Sequence, residues 1–206
     1  MDPWPMIEAD REALGRYLSS LSPDQWERPS LCEDWTVKGV AAHMLVVPTM
    51  SKGKVFLAFA SSGFNLDKMS AKLVDRLSSE LSGEQIAAMT IESAGSQSVP
   101  PGLKPMSALG EVLVHSTDIS EGAGTPLDLP LEHYVAGLEF MKDVEPVLGC
   151  RTRIAGLRLS ATDAEWATGD GPAVEGPAKH LLAAMTGRRQ SMDHLNGEGV
   201  ANLRDR

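Results

Sequence analysis

Cysteine is nearly absent from this 206-residue chain: Cys32 and Cys150 are its two examples, far apart and outside any CxxC spacing. That excludes a disulfide scaffold and a zinc knuckle, and both read as reduced thiols. Aromatic residues are equally sparse at 5%, while ten methionines stand against four phenylalanines. The core must therefore be aliphatic and thioether in character, which suits helices. Positive charge is in deficit, with 19 basic against 28 acidic side chains and a net charge of −9. No basic patch is visible, which excludes a nucleic-acid partner. Long apolar runs are missing too; each is broken within about ten residues, so no helix is expected to span a membrane. The opening stretch MDPWPMIEADRE places acids where a signal peptide would carry a basic start and an apolar run. A cytoplasmic globular protein is the resulting expectation.

What is present is helical patterning. The apolar content of 42% is ordinary for a packed core. Ile7, Leu14, Leu18 and Leu21 recur at helical spacing, with Glu8, Asp10 and Arg11 around them and Pro5 suited to a first turn. Ser22 and Gln25 form a capping-box pattern, as do Ser82 and Gln85. The stretch TVKGVAAHMLVVPTMSKGKVFLAFA reads as one long helix kinked at Pro48, one turn beyond His43. Leu66, Met69, Leu73, Leu77 and Leu81 mark another helix. AGSQSVPPGLKP is a loop by composition, MSALGEVLVHSTDIS a further helix, and LEHYVAGLEFMKDVEPVLG a helix ending at Gly149.

Past Gly149 the period changes. RIAGLRLSATD alternates, with Leu157, Leu159 and Ala161 on one face and Arg158, Ser160 and Thr162 on the other, as a strand does. AEWATGDGP suggests a second short strand. VEGPAKHLLAAMTGR suggests a strand stub and a helix bounded by Pro177 and Gly187. The tail GEGVANLRDR is polar and is expected to fray. The reading is a mainly α protein: a helical bundle over residues 1–149, then a small α+β domain over 150–206.

The chemistry concentrates on one helix. Glu111, His115 and Asp118 fall at i, i+4 and i+7 and share a face, while Leu109 and Leu113 occupy the opposite side. Nearly every direction off this helix is apolar, so the three ionisable groups must be paired or must hold a cation. His43 meets the same constraint within VAAHMLVV. Two imidazoles and a carboxylate make three donors and leave a divalent ion open positions, as catalytic zinc sites do. A hydrogen-bonded polar network is the competing reading, and the spacing alone leaves both open. His133 is expected to be exposed, and His180 and His194 to be unremarkable.

At these residues the chain resembles the mycothiol-dependent maleylpyruvate isomerase family of DinB-like metal-binding four-helix bundles. The run WERPSLCEDWTVKGVAAHM is similar to its N-terminal signature, GEVLVHSTDI to its second, and ATDAEWATGDGPAVEGPAKHLLAAMTGR to its small C-terminal domain. The resemblance implies that His43, Glu111 and His115 bind a divalent metal, zinc by donor type, and that Asp118 orients a ligand imidazole. It implies that Arg188 contacts an anionic substrate or the thiol cofactor. Mycothiol, or a similar low-molecular-weight thiol, would be the cosubstrate, activated as thiolate for cis–trans isomerisation or for S-transfer to an electrophilic substrate. The alternative is a non-catalytic DinB-like metal- or ligand-binding protein. A homodimer through bundle helices is compatible with this class.

Overall fold

The computed structural model describes residues 2–100, 102–145 and 148–206, the side chains of Lys52, Leu66 and Asp67 excepted. It divides into two compact units, Met1–Leu127 and Asp128–Arg206.

In the first unit, α1 (Trp4–Ser19) turns Ile7, Leu14 and Leu18 inward, together with the charged Asp10 and Arg11. A capping box then opens the short α2 (Pro23–Trp26): the Gln25 amide donates to Ser22 Oγ at 3.4 Å and the Ser22 amide to Gln25 Oε1 at 3.0 Å. Helix α3 (Val37–Thr49) starts at Thr36, whose hydroxyl accepts from the Gly39 amide. The expected single kinked helix is instead two. Met50 is extended (φ −91°, ψ 138°) and Ser51 caps a new helix, α4 (Lys52–Ser61), by accepting from the Lys54 amide. Pro48 weakens the ladder, and a capping serine three residues later restarts the chain where a bend would otherwise have sufficed.

Helix α5 (Leu66–Glu80) buries Met69 and Leu73 against Val46 of α3, with Leu77 partly buried beside them; the Leu66 side chain lies outside the described residues. A second capping box, Ser82 with Gln85, opens α6 (Gly83–Glu92). The expected loop follows, and α7 (Pro105–Ala123) closes on Gly124 in the left-handed conformation (φ +70°). Helix α1 packs on α6 and α7, and α3 packs on α5, α6 and α7. Helix α7 is therefore flanked by α1 and α3, which is why so many of its residues are buried.

The second unit begins with α8 (Leu131–Met141), which packs on α10 (Ala178–Met185). That contact places α8 with the C-terminal residues, so the compact units part before α8 and not at Gly149. The helix expected to run to Gly149 stops at Met141, where the Lys142 and Val144 amides turn back onto Leu138 and Met141; residues 146 and 147 lie outside the description. Gly149 (φ +60°) instead starts α9 (Cys150–Ile154), a turn of helix that the alternating pattern after it concealed.

Strands β1 (Arg158–Ala161), β2 (Ala167–Thr168) and β3 (Ala173–Gly176) form a sheet of order β2-β1-β3, with β1 antiparallel to β2 and parallel to β3. A 3₁₀ helix (Arg189–His194) and α11 (Val200–Arg204) complete the chain. The tail does not fray. Leu203 is fully buried, Arg204 pairs with Asp193 at 2.7 Å, and Arg206 donates to the Arg153 and Ala155 carbonyls. His133 is buried, contrary to expectation, because it shares the buried face of α8 with Gly137 and Met141 at four-residue spacing. His180 and His194 stack with ring centroids 3.9 Å apart. A mainly α bundle followed by a small α+β unit is the architecture anticipated. Among the described residues no helix is long and apolar enough to cross a membrane.

Two predictions follow from this packing. A Cβ on Gly122 would lie 2.6 Å from the Pro29 carbonyl oxygen and 2.8 Å from Ser30 Cα, both backbone atoms. Gly122→Ala should therefore cost about 1–3 kcal/mol in denaturant unfolding, whereas Gly53→Ala, which meets open space, should not destabilise. Neither cysteine is in a disulfide among the described residues. Cys150 is fully buried and burial pushes its thiol up to about 11. Native protein at pH 8 should alkylate Cys32 well ahead of Cys150, which should react at a comparable rate once the chain is unfolded in denaturant.

Candidate active site

Helix periodicity on α7 puts Glu111, His115 and Asp118 on one face, and the packing of α3 on α7 brings His43 to it. His43 Nε2 lies 3.8 Å from Glu111 Oε1. The His43 and His115 rings meet edge to face, with centroids 5.1 Å apart. His115 Nδ1 hydrogen-bonds to Asp118 Oδ2 at 2.9 Å, and Asp118 is completely buried. An ionised aspartate only accepts, so in that contact the proton lies on His115 Nδ1, and Nε2 is the ring nitrogen directed away from the carboxylate. His43, Glu111, His115 and Asp118 are thus brought together.

Part of the charge acting on the site comes from a residue the sequence pattern placed only among the polar neighbours of a helical stripe. Arg11 is 4% exposed on α1, and its Nη1 donates to the carbonyls of Ser96 (2.7 Å) and Ala94 (3.4 Å). Burial pushes the Glu111 carboxyl above the ordinary range, while the charges of His115 and Arg11 pull it back. Burial likewise lowers the Arg11 pKa, and Glu111 opposes that shift. The available signal was positional: Asp10 and Arg11 fall between Ile7 and Leu14 at the three- and four-residue intervals of the buried stripe.

Trp35 is the second residue not anticipated as part of the site. Its ring lies against His43, centroids 4.9 Å apart and planes tilted by 40°. Arg188 belongs to the second unit, where it is half-buried just past α10; its amide donates to the Ala183 carbonyl and its guanidinium to that of Thr186.

Two imidazoles and a carboxylate suit a borderline divalent ion such as zinc. Donors about 2.1 Å from a tetrahedral ion stand roughly 3.4 Å apart, and the His43–Glu111 separation of 3.8 Å is close to this. The fit lies in donor type and in that one separation. Among the described residues no group of three or more His, Cys, Asp or Glu side chains is already spaced to hold a metal ion.

Fold and site together define a helical-bundle protein with a His/carboxylate cluster between facing helices, joined to a small α+β unit. Residues 7–94 match the family model "Mycothiol maleylpyruvate isomerase N-terminal domain". The matched stretch lies within the first unit and makes up less than half of the chain. A crystal structure of the mycothiol-dependent maleylpyruvate isomerase is similar over 95% of this chain and 91% of that one, with a TM-score of 0.62 and 16% identity. A histidine-to-alanine mutant of that enzyme matches over the same shares, with the same TM-score and 15% identity. At such identity the likeness concerns the fold. Comparison with curated protein sequences gives no match.

The raised Glu111 pKa has a definite sign. An acid whose pKa is higher folded than unfolded binds more protons in the native state, so its contribution to stability falls as pH rises. In chelator-treated protein, wild type should therefore lose stability relative to Glu111→Gln as pH rises through the Glu111 carboxyl pKa, read from urea midpoints across a pH series. A pH-independent difference would contradict the burial argument.

Proposed function

We propose that this protein is a divalent-metal-dependent enzyme that uses a low-molecular-weight thiol, mycothiol, as cosubstrate. The observation that carries the reading is the convergence of His43, His115 and Glu111 from facing helices, with His43 inside the stretch that matches the mycothiol maleylpyruvate isomerase N-terminal domain. His43, Glu111 and His115 would hold the ion, zinc by donor type. Bound there, it would supply Lewis acidity that lowers a thiol's pKa from its usual value of about 8.5, so that thiolate is present at neutral pH.

The chain's own groups set the stage for that chemistry. Asp118 holds the His115 ring with Nε2 directed away from the carboxylate. His115 and, to a smaller extent, Arg11 offset the burial of Glu111 by charge. Arg188 has the proposed role of contacting an anionic group of substrate or thiol. In the isomerase reaction a thiolate adds to the cis double bond of maleylpyruvate, the new single bond rotates, and elimination restores the thiolate with the trans alkene. Without elimination, the same addition is S-transfer to an electrophile. The reading places the enzyme in the cytoplasm, where its cysteines stay reduced, and admits a homodimer.

The alternative is a non-catalytic DinB-like metal- or ligand-binding protein built on the same polar residues. Elemental analysis of wild type, His43→Ala and His115→Ala separates the outcomes. Stoichiometric metal in wild type, lost in both variants, is expected; equal sub-stoichiometric metal in all three would overturn the metal reading. Metal-loaded protein should then turn over mycothiol with maleylpyruvate or with a member of an electrophile panel. Inactivity with every thiol would favour the binding protein. Arg188→Ala should raise KM more than it lowers kcat.

A further inference from the structure

An imidazole on a helix is free to turn about its last side-chain bond, whose rotational preference is broad and two-fold. Packing against the ring limits that turning. Trp35 packs on the His43 ring, centroids 4.9 Å apart, and the turn that carries it is built in detail. Pro29 and Thr36 form an antiparallel bridge, and Ser30 Oγ donates to the Trp35 and Cys32 carbonyls at 2.8 and 3.1 Å. The Trp35 amide donates to the Cys32 carbonyl, and Asp34 takes a left-handed conformation (φ +70°) between them.

Two glycines let this turn approach the helices that bear the histidines. A Cβ on Gly39 of α3 would lie 3.2 Å from Trp35 Cβ, and Gly122 of α7 sits beneath Pro29 and Ser30. The Leu31 amide reaches the Asp118 carbonyl of α7 at 3.4 Å, beside the residue whose side chain holds His115. One turn thus touches His43 through Trp35 and the backbone of Asp118 through Leu31.

We propose that the Ser30–Trp35 turn positions the two histidines relative to each other, with Trp35 as the positioning residue that fixes the ring plane of His43. The proposal rests on the reading of His43 as a metal ligand. Trp35 acts through His43 and donates nothing to an ion, so its removal should change metal affinity and ring orientation while leaving the donors in place.

The test titrates cobalt(II) into the full-length, chelator-treated chain, following visible absorption and tryptophan emission, with circular dichroism as the check on folding. In wild type, cobalt uptake should quench emission, with Trp35 as the tryptophan against the site. Trp35→Phe, which keeps an aromatic face, should bind cobalt with wild-type affinity and lose that quenching. Trp35→Leu should weaken binding by about tenfold or more and alter the absorption bands. Wild-type affinity and bands in Trp35→Leu would overturn the proposal; if that variant does not fold, undiminished quenching in Trp35→Phe would do so. Should wild type take up no cobalt, the metal reading fails and the positioning claim is judged separately by NMR. The His43 ring proton resonances, assigned by their loss in His43→Ala, should move in the Trp35 variants through lost ring current. Unmoved resonances would overturn the proposal whatever the metal result.

Discussion

The organising constraint is the cost of burying ionisable groups on α7. A carboxylate or imidazolium taken out of water must find a partner, or it destabilises the fold by several kcal/mol. Helix α7 lies between α1 and α3; it buries Asp118 completely there and leaves Glu111 and His115 partly buried. Each is met by a specific group: Asp118 by the His115 ring, Glu111 by the charges of His115 and Arg11, and the His43 ring by Trp35 and His115. The rest of the first unit can be understood as the scaffold those pairings require.

That scaffold shows why the site is distributed as it is. Arg11 does two jobs with one guanidinium, donating to the carbonyls of Ala94 and Ser96 just past α6 while its charge favours the ionised form of Glu111. The turn before α3 likewise ties two helices, through Trp35 on one side and Leu31 on the other. Gly122 has no side chain, which is what allows that turn to rest on α7. A polar cluster held this way has two uses: it can be a satisfied network, or its two imidazoles and one carboxylate can serve as donors to an ion.

Legibility in the sequence followed the range of the interactions. Both capping boxes, Ser22 with Gln25 and Ser82 with Gln85, form as read, because a cap is settled within four residues. The alternation of exposed Arg158 with buried Leu159 in β1 is local in the same sense. The shared face of Glu111, His115 and Asp118 needed only the helical period. Where a local pattern had two outcomes, contacts beyond it decided. Pro48 could bend one helix or precede a restart, and Ser51 decided for a restart. The polar tail could be loose or docked, and the burial of Leu203 with the Arg204 and Arg206 contacts docked it.

By itself, the sequence determined the helical class, the change of texture after Gly149, the capped helix starts and the set of four ionisable residues on two apolar helices. These depend on periodicity and on neighbours within a turn or two. Tertiary structure alone decided that His43 faces Glu111 and His115, that Arg11 is the buried countercharge, that Trp35 lies on the His43 ring and that α8 joins the C-terminal unit. Those are contacts between residues many positions apart in the chain. Their geometry is set by how helices pack, and helix periodicity states which face is buried without stating what it is buried against.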